Sequence, residues 1–263
     1  RARHGTPIPI TEKEYKAVMD KWSDIAEEND EEEKPEPVLS YDFEESDGTV
    51  IKDISGNGND GTMNGKAKLQ KDAEQDSNVL YLDGSDDTFA ALPEGFFDGR
   101  NTFSLSMDVK AEDVSGNYFT FAIGQDSNRY YFLKPTADSV KSVITSSSWG
   151  GEKGFTEKLN TQVKDQWLHL TLIMDGTDMK LYLDDQLIGH NENVVNEMSN
   201  LGKNLKAYLG KSFYGEDKCF KGAFDNIKVY NRVLTNAELA GGVLGDKTEL
   251  RELLETYKDL DAS

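Results

Sequence analysis

The segment "DISGNGNDGT", which starts at Asp53, combines side-chain oxygens with three glycines. Asp53, Ser55 and Asn57 stand at positions 1, 3 and 5 and Gly58 at position 6, as in the first half of a calcium-binding loop. Position 12, where an EF-hand carries glutamate, is Asn64, and no helical pattern flanks the segment, so an EF-hand is excluded. Two interpretations stay open: an ion site, or a set of Asx turns without an ion.

A second group of residues has the chemistry for binding sugars, whose flat apolar faces stack on aromatic rings while polar side chains bind the hydroxyls. Trp149 lies in the polar, glycine-rich segment "TSSSWGGEKG" and is the first candidate. Tyr214 in "SFYGEDK" and Tyr130 in "DSNRYYF" follow, with Arg129 and Asp126 as polar neighbours. The alternative is structural: strand alternation would bury one tyrosine of the "YY" pair, and loop aromatics can simply cap the core.

These residues are embedded in a succession of short β-type segments between residues 39 and 239. The strongest are "VLYLDG", "TFSLSMDVKAE", "YFTFAIG", "RYYFLKP", "WLHLTLIMDG", "MKLYLDD" and "GAFDNIKVYNR". Turn residues separate them at short intervals and no long helical pattern intervenes, which argues against a parallel sheet with crossover helices. The sequence therefore predicts an all-β fold, an antiparallel two-sheet jelly-roll sandwich.

Short helical segments are predicted on both sides of the sandwich. Within residues 1–38, a capping box at Thr11 and Glu14 begins an amphipathic helix, and the charge run "ENDEEEKPEPV" after it predicts an extended linker. Within residues 240–263, a capping box at Asp246 and Glu249 precedes an apolar stripe typical of one helical face. We expect these flanks to be the end of an upstream module and the possible start of a helical repeat.

Composition limits the partners of the chain. The formal net charge is −20 at pH 7. Binding to nucleic acid or to an anionic membrane surface requires an excess of Lys and Arg, so we expect neither partner. No run of apolar residues is long enough to span a bilayer. The single cysteine, Cys219, excludes an internal disulfide but not secretion.

Four stretches, in this order, resemble the laminin-G-like, concanavalin A-like jelly-roll domains of bacterial extracellular carbohydrate-active enzymes. They are "YDFEESDGTVIKDISGNGNDGT", "VLYLDGSDDTFAAL", "WLHLTLIMDGTDMKLYLDDQLIG" and "YLGKSFYGEDKCFKGAFDNIKVYNRVLTNAEL". This family often binds a structural calcium ion with oxygens of the first loop and an acidic residue of the last strand. The resemblance thus implies calcium ligands at Asp53, Asn57, Asn59, Asp225 and Glu44. One departure is Asp185, where the family usually has glycine at a hairpin turn.

The flanks resemble parts of modular glycosidases: "RHGTPIPITEKEY" is similar to a segment that follows arabinan- and xylan-cleaving catalytic domains. We therefore expect an internal piece of a secreted bacterial glycoside hydrolase. Within it the chain would be a non-catalytic carbohydrate-binding module, whose partners are a polysaccharide or glycan and the neighbouring domains. The alternatives are a structural spacer that packs on a neighbouring domain and, less favoured, a polysaccharide-cleaving enzyme.

Catalysis is the weakest of these hypotheses. Glucanases of the superfamily that this chain resembles carry E-x-D-x-x-E on an inner strand. Their retaining chemistry needs two carboxyl groups about 5 to 5.5 Å apart. Here that spacing falls at Glu28, Asp30 and Glu33, inside the acidic linker and outside any strand pattern. The histidines are scattered and no C-x-x-C spacing exists, so no zinc site is predicted. We expect no catalytic residues in this chain, and we interpret His169 as structural.

Overall fold

The computed structural model describes residues 36–241, which form a sandwich of two antiparallel sheets. The predicted all-β, two-sheet class is confirmed. The helices predicted near Thr11 and after Asp246, and residues 28–35 of the predicted acidic linker, lie outside the described residues.

The first sheet has eight strands, one of which, β1, pairs with β17 beside the main path. In spatial order its strands are β15 (Gln186–Asn191), β14 (Asp178–Leu183), β13 (Trp167–Asp175), β8 (Thr102–Ala111), β17 (Lys221–Tyr230), β6 (Ser77–Asp83) and β5 (Lys68–Asp72), with β1 (Leu39–Tyr41).

The second sheet has nine strands. In spatial order they are β12 (Lys153–Lys158), β11 (Ser139–Thr145), β10 (Arg129–Pro135), β9 (Phe121–Asp126), β16 (Lys206–Leu209), β7 (Phe89–Ala91), β4 (Gly61–Asn64), β3 (Val50–Ile51) and β2 (Ser46–Asp47). Two 3-10 turns, Trp149–Gly151 and Met198–Leu201, interrupt the connections.

The main core fills the space between the two sheets, and strand alternation decides which side chains enter it. On β8 every second residue is a buried apolar side chain of this core: Phe103, Leu105, Met107 and Val109. The residues between them, including Ser106 and Asp108, face away from the core. This period of two is what the sequence predicted for a half-buried antiparallel strand.

The described chain ends in a short helix, α1 (Asn236–Gly241), as the pattern "LTNAELAGG" predicted. Thr235 and Glu238 cap its start: the Glu238 amide donates to Thr235 Oγ1 (3.3 Å), and the Thr235 amide donates to Glu238 Oε2 (2.8 Å). Leu234 and Leu239 of this segment pack on Ile173, Tyr182 and Tyr230. The segment therefore covers part of the eight-stranded sheet on the face opposite the main core.

The β14–β15 hairpin turns through Asp184 and Asp185, which have φ angles of 47° and 63°. Two consecutive residues at positive φ form a type I′ turn, whose backbone twist matches that of the flanking strands. The departure from glycine at position 185 is thus tolerated, but an L-residue is held in a left-handed conformation there.

We expect Asp185→Gly to stabilise the domain by about 0.5–1 kcal/mol, because glycine adopts this conformation without a steric cost. The melting temperature measured by calorimetry should rise by about 1–3 °C. The matched control is Asp185→Ala at the same position. It should lower the melting temperature, because alanine is strained at this positive φ. A melting temperature that falls with glycine would show that the Asp185 side chain stabilises the turn.

Candidate functional site

The nine-stranded sheet carries a second, smaller aromatic cluster on the face opposite the main core. Along β10, Tyr131 and Leu133 point into the main core, whereas Tyr130 and Phe132 point the other way. Phe119 lies against Phe132 with its ring parallel at 3.9 Å between centroids and 6° between planes. Tyr214, from the loop after β16, packs edge-on against Tyr130 at 5.8 Å. Aromatic rings therefore cover this outer face of the nine-stranded sheet, which would otherwise be in contact with water.

This cluster forms the floor of a groove of about 380 Å³, which we call the aromatic groove. Phe119, Phe132 and Tyr214 line its floor, and Trp149 lines one side. Five charged side chains also border it, Lys134, Lys141, Glu152, Glu216 and Asp217, together with Asn117 and Tyr118. An apolar floor with a few polar groups around it is the usual composition of a small-molecule site.

Trp149 stands on the 3-10 turn between β11 and β12 and is 74% exposed. The residue before it, Ser148, has φ 65° and ψ 179°, a backbone conformation that is essentially restricted to glycine. Three hydrogen bonds hold Ser148 there: its amide donates to the Asn128 carbonyl (2.8 Å), and its carbonyl accepts from Thr145 Oγ1 (2.8 Å) and the Gly151 amide (3.0 Å). The surrounding hydrogen bonds thus maintain a strained turn that presents an exposed tryptophan.

A hydrogen-bond network fixes the polar groups of the aromatic groove. The Tyr130 hydroxyl donates to Glu152 Oε1 (2.7 Å), and Lys141 Nζ donates to Glu152 Oε2 (2.6 Å). The Tyr214 hydroxyl lies 3.1 Å from that of Tyr130 and 3.0 Å from the Ser127 carbonyl, so its one proton is shared between two acceptors. Burial and these hydrogen bonds raise the pKa of Tyr130 well above its usual range, so Tyr130 remains a neutral donor.

Among the sequence candidates, Trp149, Tyr130 and Tyr214 meet at this one place. Tyr130, however, is fully buried, so the expectation that its ring is an exposed stacking surface needs correction. Both tyrosines of the "YY" pair are buried because the sheet carries a core on one face and the aromatic cluster on the other. The Tyr130 ring supports the groove floor from below.

Asp126 and Arg129 do not line the aromatic groove. They form an ion pair with each other (2.9 Å), and Asp126 Oδ1 accepts the amides of Asn128 (2.8 Å) and Arg129 (3.2 Å). Both therefore fix the β9–β10 hairpin. The carbonyls of this hairpin, at Ser127 and Asn128, in turn hold Tyr214 and the turn that carries Trp149.

The sequence candidates did not include Phe119, Phe132, Lys141 or Glu152. One signal was present in the sequence: in "RYYFLK" both faces of the strand are apolar, whereas a strand with one solvated face alternates with polar residues. The stacking of Phe119 on Phe132 joins two segments through strand pairing, which no local pattern reports.

The Asp53 carboxylate holds its loop together by accepting four hydrogen bonds from donors of the loop and of β1. Asp53 Oδ1 accepts the amides of Ser40 (2.9 Å) and Ser55 (3.0 Å), and Oδ2 accepts the Asn59 amide (2.9 Å) and the Ser55 hydroxyl (2.9 Å). The Asn59 side-chain amide donates to the Val38 carbonyl (2.9 Å). These hydrogen bonds lower the pKa of Asp53 against the opposing effect of burial.

The other predicted calcium ligands have different partners. Glu44 accepts the amide of Asn78 (2.9 Å) and its side-chain amide (3.1 Å), and Asp225 Oδ2 accepts the Ser77 hydroxyl (2.7 Å). The Asn57 side chain donates to Ser55 Oγ (3.0 Å). Asp225 thus bonds to β6 and not to the loop at Asp53, because β17 lies between β8 and β6. In the described part of the chain, no group of three or more His, Cys, Asp or Glu side chains is arranged to hold a metal ion.

Asp225 belongs to a polar row across three strands of the eight-stranded sheet. It pairs in register with Asp108, which pairs in register with His169 on the other side. Asp108 Oδ1 lies 2.6 Å from His169 Nδ1, and its Oδ2 accepts from the Asn226 side chain (2.8 Å). His169 is therefore held by a carboxylate of the neighbouring strand.

A family model described as the concanavalin A-like lectin/glucanases superfamily matches residues 83–240. The chain belongs to this superfamily. An alpha-L-arabinofuranosidase of Bifidobacterium longum subsp. longum is 30% identical over 242 residues, which cover 83% of this chain and 22% of the relative. The chain thus spans about a fifth of the length of that relative.

Solved structures share the superfamily fold. Domain 4 of AbnA, a GH43 extracellular arabinanase from Geobacillus stearothermophilus, was solved in complex with arabinotriose; it has a TM-score of 0.64 at 22% identity, covering 79% of this chain and 98% of that one. The binding domain of Paraclostridial Mosquitocidal Protein 1 has a TM-score of 0.60 at 14% identity, covering 78% and 51%. At these identities the likeness establishes the fold. No helix in the described range is long and apolar enough to cross a membrane.

Asp225 gives a pH-dependent prediction. Burial, with the nearby Asp108 and Glu44 carboxylates, raises its pKa to about 6. The folded state therefore holds this proton more tightly than the unfolded state, so the domain loses stability as the pH rises from about 4 through 6. In EDTA, Asp225→Asn should stabilise the domain by about 2 kcal/mol at pH 7.5 and by almost nothing at pH 4, measured by urea unfolding.

The control for Asp225→Asn is Asp76→Asn, because the Asp76 side chain is 95% exposed and its pairing is at the surface. This control should leave the free energy of unfolding nearly unchanged at both pH values. A destabilised Asp225→Asn variant at pH 7.5 would mean that the carboxylate charge is needed in the folded domain.

Proposed function

We propose that this chain is a non-catalytic carbohydrate-binding module of a secreted, modular bacterial glycoside hydrolase. The single observation that carries the proposal is Trp149, which is 74% exposed at the side of the aromatic groove on a strained turn. Strained backbone persists only where the surroundings enforce it, and it concentrates at ligand-binding sites.

The make-up of the aromatic groove supports a carbohydrate ligand. The Trp149 indole offers a flat face for a sugar ring, and Lys141 and Glu152 lie on the same groove border to bind hydroxyl groups. The net charge of −20 favours a neutral ligand over a nucleic acid or an anionic surface. A neutral polysaccharide has both sugar rings that stack on the indole and no charge that the acidic chain would repel.

Arabinose-containing polysaccharide is the class that we propose. The relative from Bifidobacterium longum is an arabinofuranosidase, and the AbnA domain was solved with arabinotriose. Because that AbnA domain is one part of an extracellular arabinanase, we also propose an extracellular location and a parent enzyme that acts on such polymers. The module would keep the parent enzyme at its substrate.

A non-catalytic role fits the state of Glu152. Both of its carboxylate oxygens accept hydrogen bonds, from Tyr130 and from Lys141, and so it is held as a fixed acceptor. The competing function is a spacer that binds no sugar and packs on a neighbouring domain. The two functions differ in one measurable property, which is retention by a glycan.

We expect the chain to be retarded in affinity gels containing arabinan, and Trp149→Ala to weaken that binding about tenfold or more, which corresponds to roughly 1–2 kcal/mol of lost stacking. Trp149→Tyr should recover part of the affinity because it keeps an aromatic face. Leu187→Ala is the matched control, since Leu187 is 51% exposed and does not line the groove.

The outcomes separate site from function. Binding that Trp149→Ala does not weaken would contradict the site and leave the function standing. A wild-type chain that is retarded by no glycan would favour the spacer, and release of reducing sugar by the isolated chain would contradict the non-catalytic role.

Structural calcium at the loop of Asp53, Asn57 and Asn59 stays a prediction. If a calcium ion binds only the folded domain, the melting temperature must be higher in excess calcium than in EDTA, by several degrees at about a hundred times the dissociation constant. Asp53→Asn should abolish the difference, whereas Asp76→Asn should retain it. Identical melting curves of the wild type in calcium and in EDTA would contradict the predicted calcium site.

A further inference from the structure

A second groove, larger than the first, lies where the segment between β7 and β8 meets the loop that carries Asn59 and the residue after β17, Asn231. Its volume is about 720 Å³ and its lining is mainly polar, so we call it the polar groove. The residues that matter for its chemistry are Glu94, Asp98 and Arg100, together with Asn59 and Asn231. No residue lines both grooves.

Arg100 is held in the polar groove by neutral partners. Its guanidinium lies over the Phe96 ring at 4.6 Å, Nε donates to the Phe96 carbonyl (2.5 Å), and Nη1 donates to Asn231 Oδ1 (2.8 Å). It has no ion pair with any carboxylate of the described residues, although the chain carries 49 acidic residues. Two of its five N–H donors are used, which leaves three for a ligand.

The same groove offers acceptors. Glu94 is exposed and makes no hydrogen bond or ion pair with another residue of the described chain. Asp98 is fixed by the amides of Asn204 (2.8 Å) and Leu205 (2.9 Å), each on a different carboxylate oxygen. The Asn59 and Asn231 side chains are also immobilised, by Val38 and by Arg100. Apart from the exposed Glu94, the polar groups of this groove are therefore positioned before any ligand arrives, which reduces the entropy cost of binding.

The charges of the polar groove select the kind of ligand. An anion would meet Glu94 and Asp98, and a cation would meet Arg100, so neither ion is favoured. A hydroxyl group both donates and accepts, and a neutral molecule with several hydroxyls matches Arg100 and Glu94 at the same time. We infer that the polar groove is a second carbohydrate-binding site, which takes a neutral glycan.

This inference deepens the proposed function and rests on it. A polysaccharide presents many copies of the same unit, so two separate sites on one domain bind it with an avidity above that of either site. Single short oligosaccharides would occupy the two grooves independently. The polar groove, which lacks an exposed aromatic face like that of Trp149, would be the weaker site on its own.

The test is a titration of the isotope-labelled chain with arabinotriose and, separately, xylotriose, followed by amide NMR spectra. We expect two groups of signals to shift: one from the aromatic groove, at residues 117–119, 132–134 and 149–152, and one from the polar groove, at residues 94–101 and 231. In Trp149→Ala the first group should need about ten times more sugar, or more, for the same shift, and the second should shift as before.

Glu94→Ala is the variant for the polar groove, because Glu94 holds no other described residue by a hydrogen bond or ion pair and its removal leaves the fold intact. It should weaken the second group's binding roughly threefold to tenfold and leave the first group unchanged. Glu192→Ala, which removes the same charge from an exposed residue outside both grooves, should change neither. Arg100→Lys should weaken the second group further, since lysine cannot keep the planar contact with Phe96.

The outcomes keep the two proposals apart. Shifts in the first group alone would overturn the second site and support the proposed function. Shifts at residues 94–101 that disappear in Trp149→Ala would also overturn it, because they would be transmitted from the aromatic groove. Shifts in the second group alone would overturn Trp149 as the primary site, and no shift with either sugar would overturn both proposals.

Discussion

The side chains of β10 alternate between two apolar environments, and the candidate site depends on that constraint. Tyr131 and Leu133 must enter the main core, so Tyr130 and Phe132 are placed on the opposite face of the nine-stranded sheet. Those two rings would be exposed to water without Phe119 and Tyr214, which pack on them from neighbouring segments. The aromatic groove is the part of this second cluster that stays open.

Hydrogen bonds between partly buried polar groups then determine how firmly the site is held. Glu152, the acceptor shared by Tyr130 and Lys141, connects β10, β11 and the turn of Trp149 through charged and neutral hydrogen bonds. The β9–β10 hairpin adds the carbonyls that position Ser148 and Tyr214. Because these hydrogen bonds hold Tyr130, Tyr214, Glu152 and the turn of Trp149 in place, the aromatic groove is preorganised, and a ligand would meet little reorganisation on binding.

The sequence predicted the sandwich and one of its most exposed aromatic residues, because both follow from local patterns. Period-two alternation defines the strands, and a tryptophan among Ser and Gly has no periodic apolar neighbours to bury it. It did not predict Phe119 and Phe132, since their stacking depends on strand pairing, or the burial of Tyr130, since alternation does not say that both faces of a sheet are covered. The resemblance implied that Asp225 of the last strand joins Asp53 of the first loop in an ion site. The last strand, β17, does pair with the first, β1, but the Asp225 side chain faces β6 and β8.

The segment from Arg232 to α1 crosses the eight-stranded sheet on its outer face, where Leu234 and Leu239 pack on Ile173, Tyr182 and Tyr230. The aromatic groove opens from the outer face of the other sheet. The described chain therefore ends, at Gly241, on the opposite face of the sandwich from Trp149. A long polymer bound in the aromatic groove therefore runs over one sheet, while α1 covers the other.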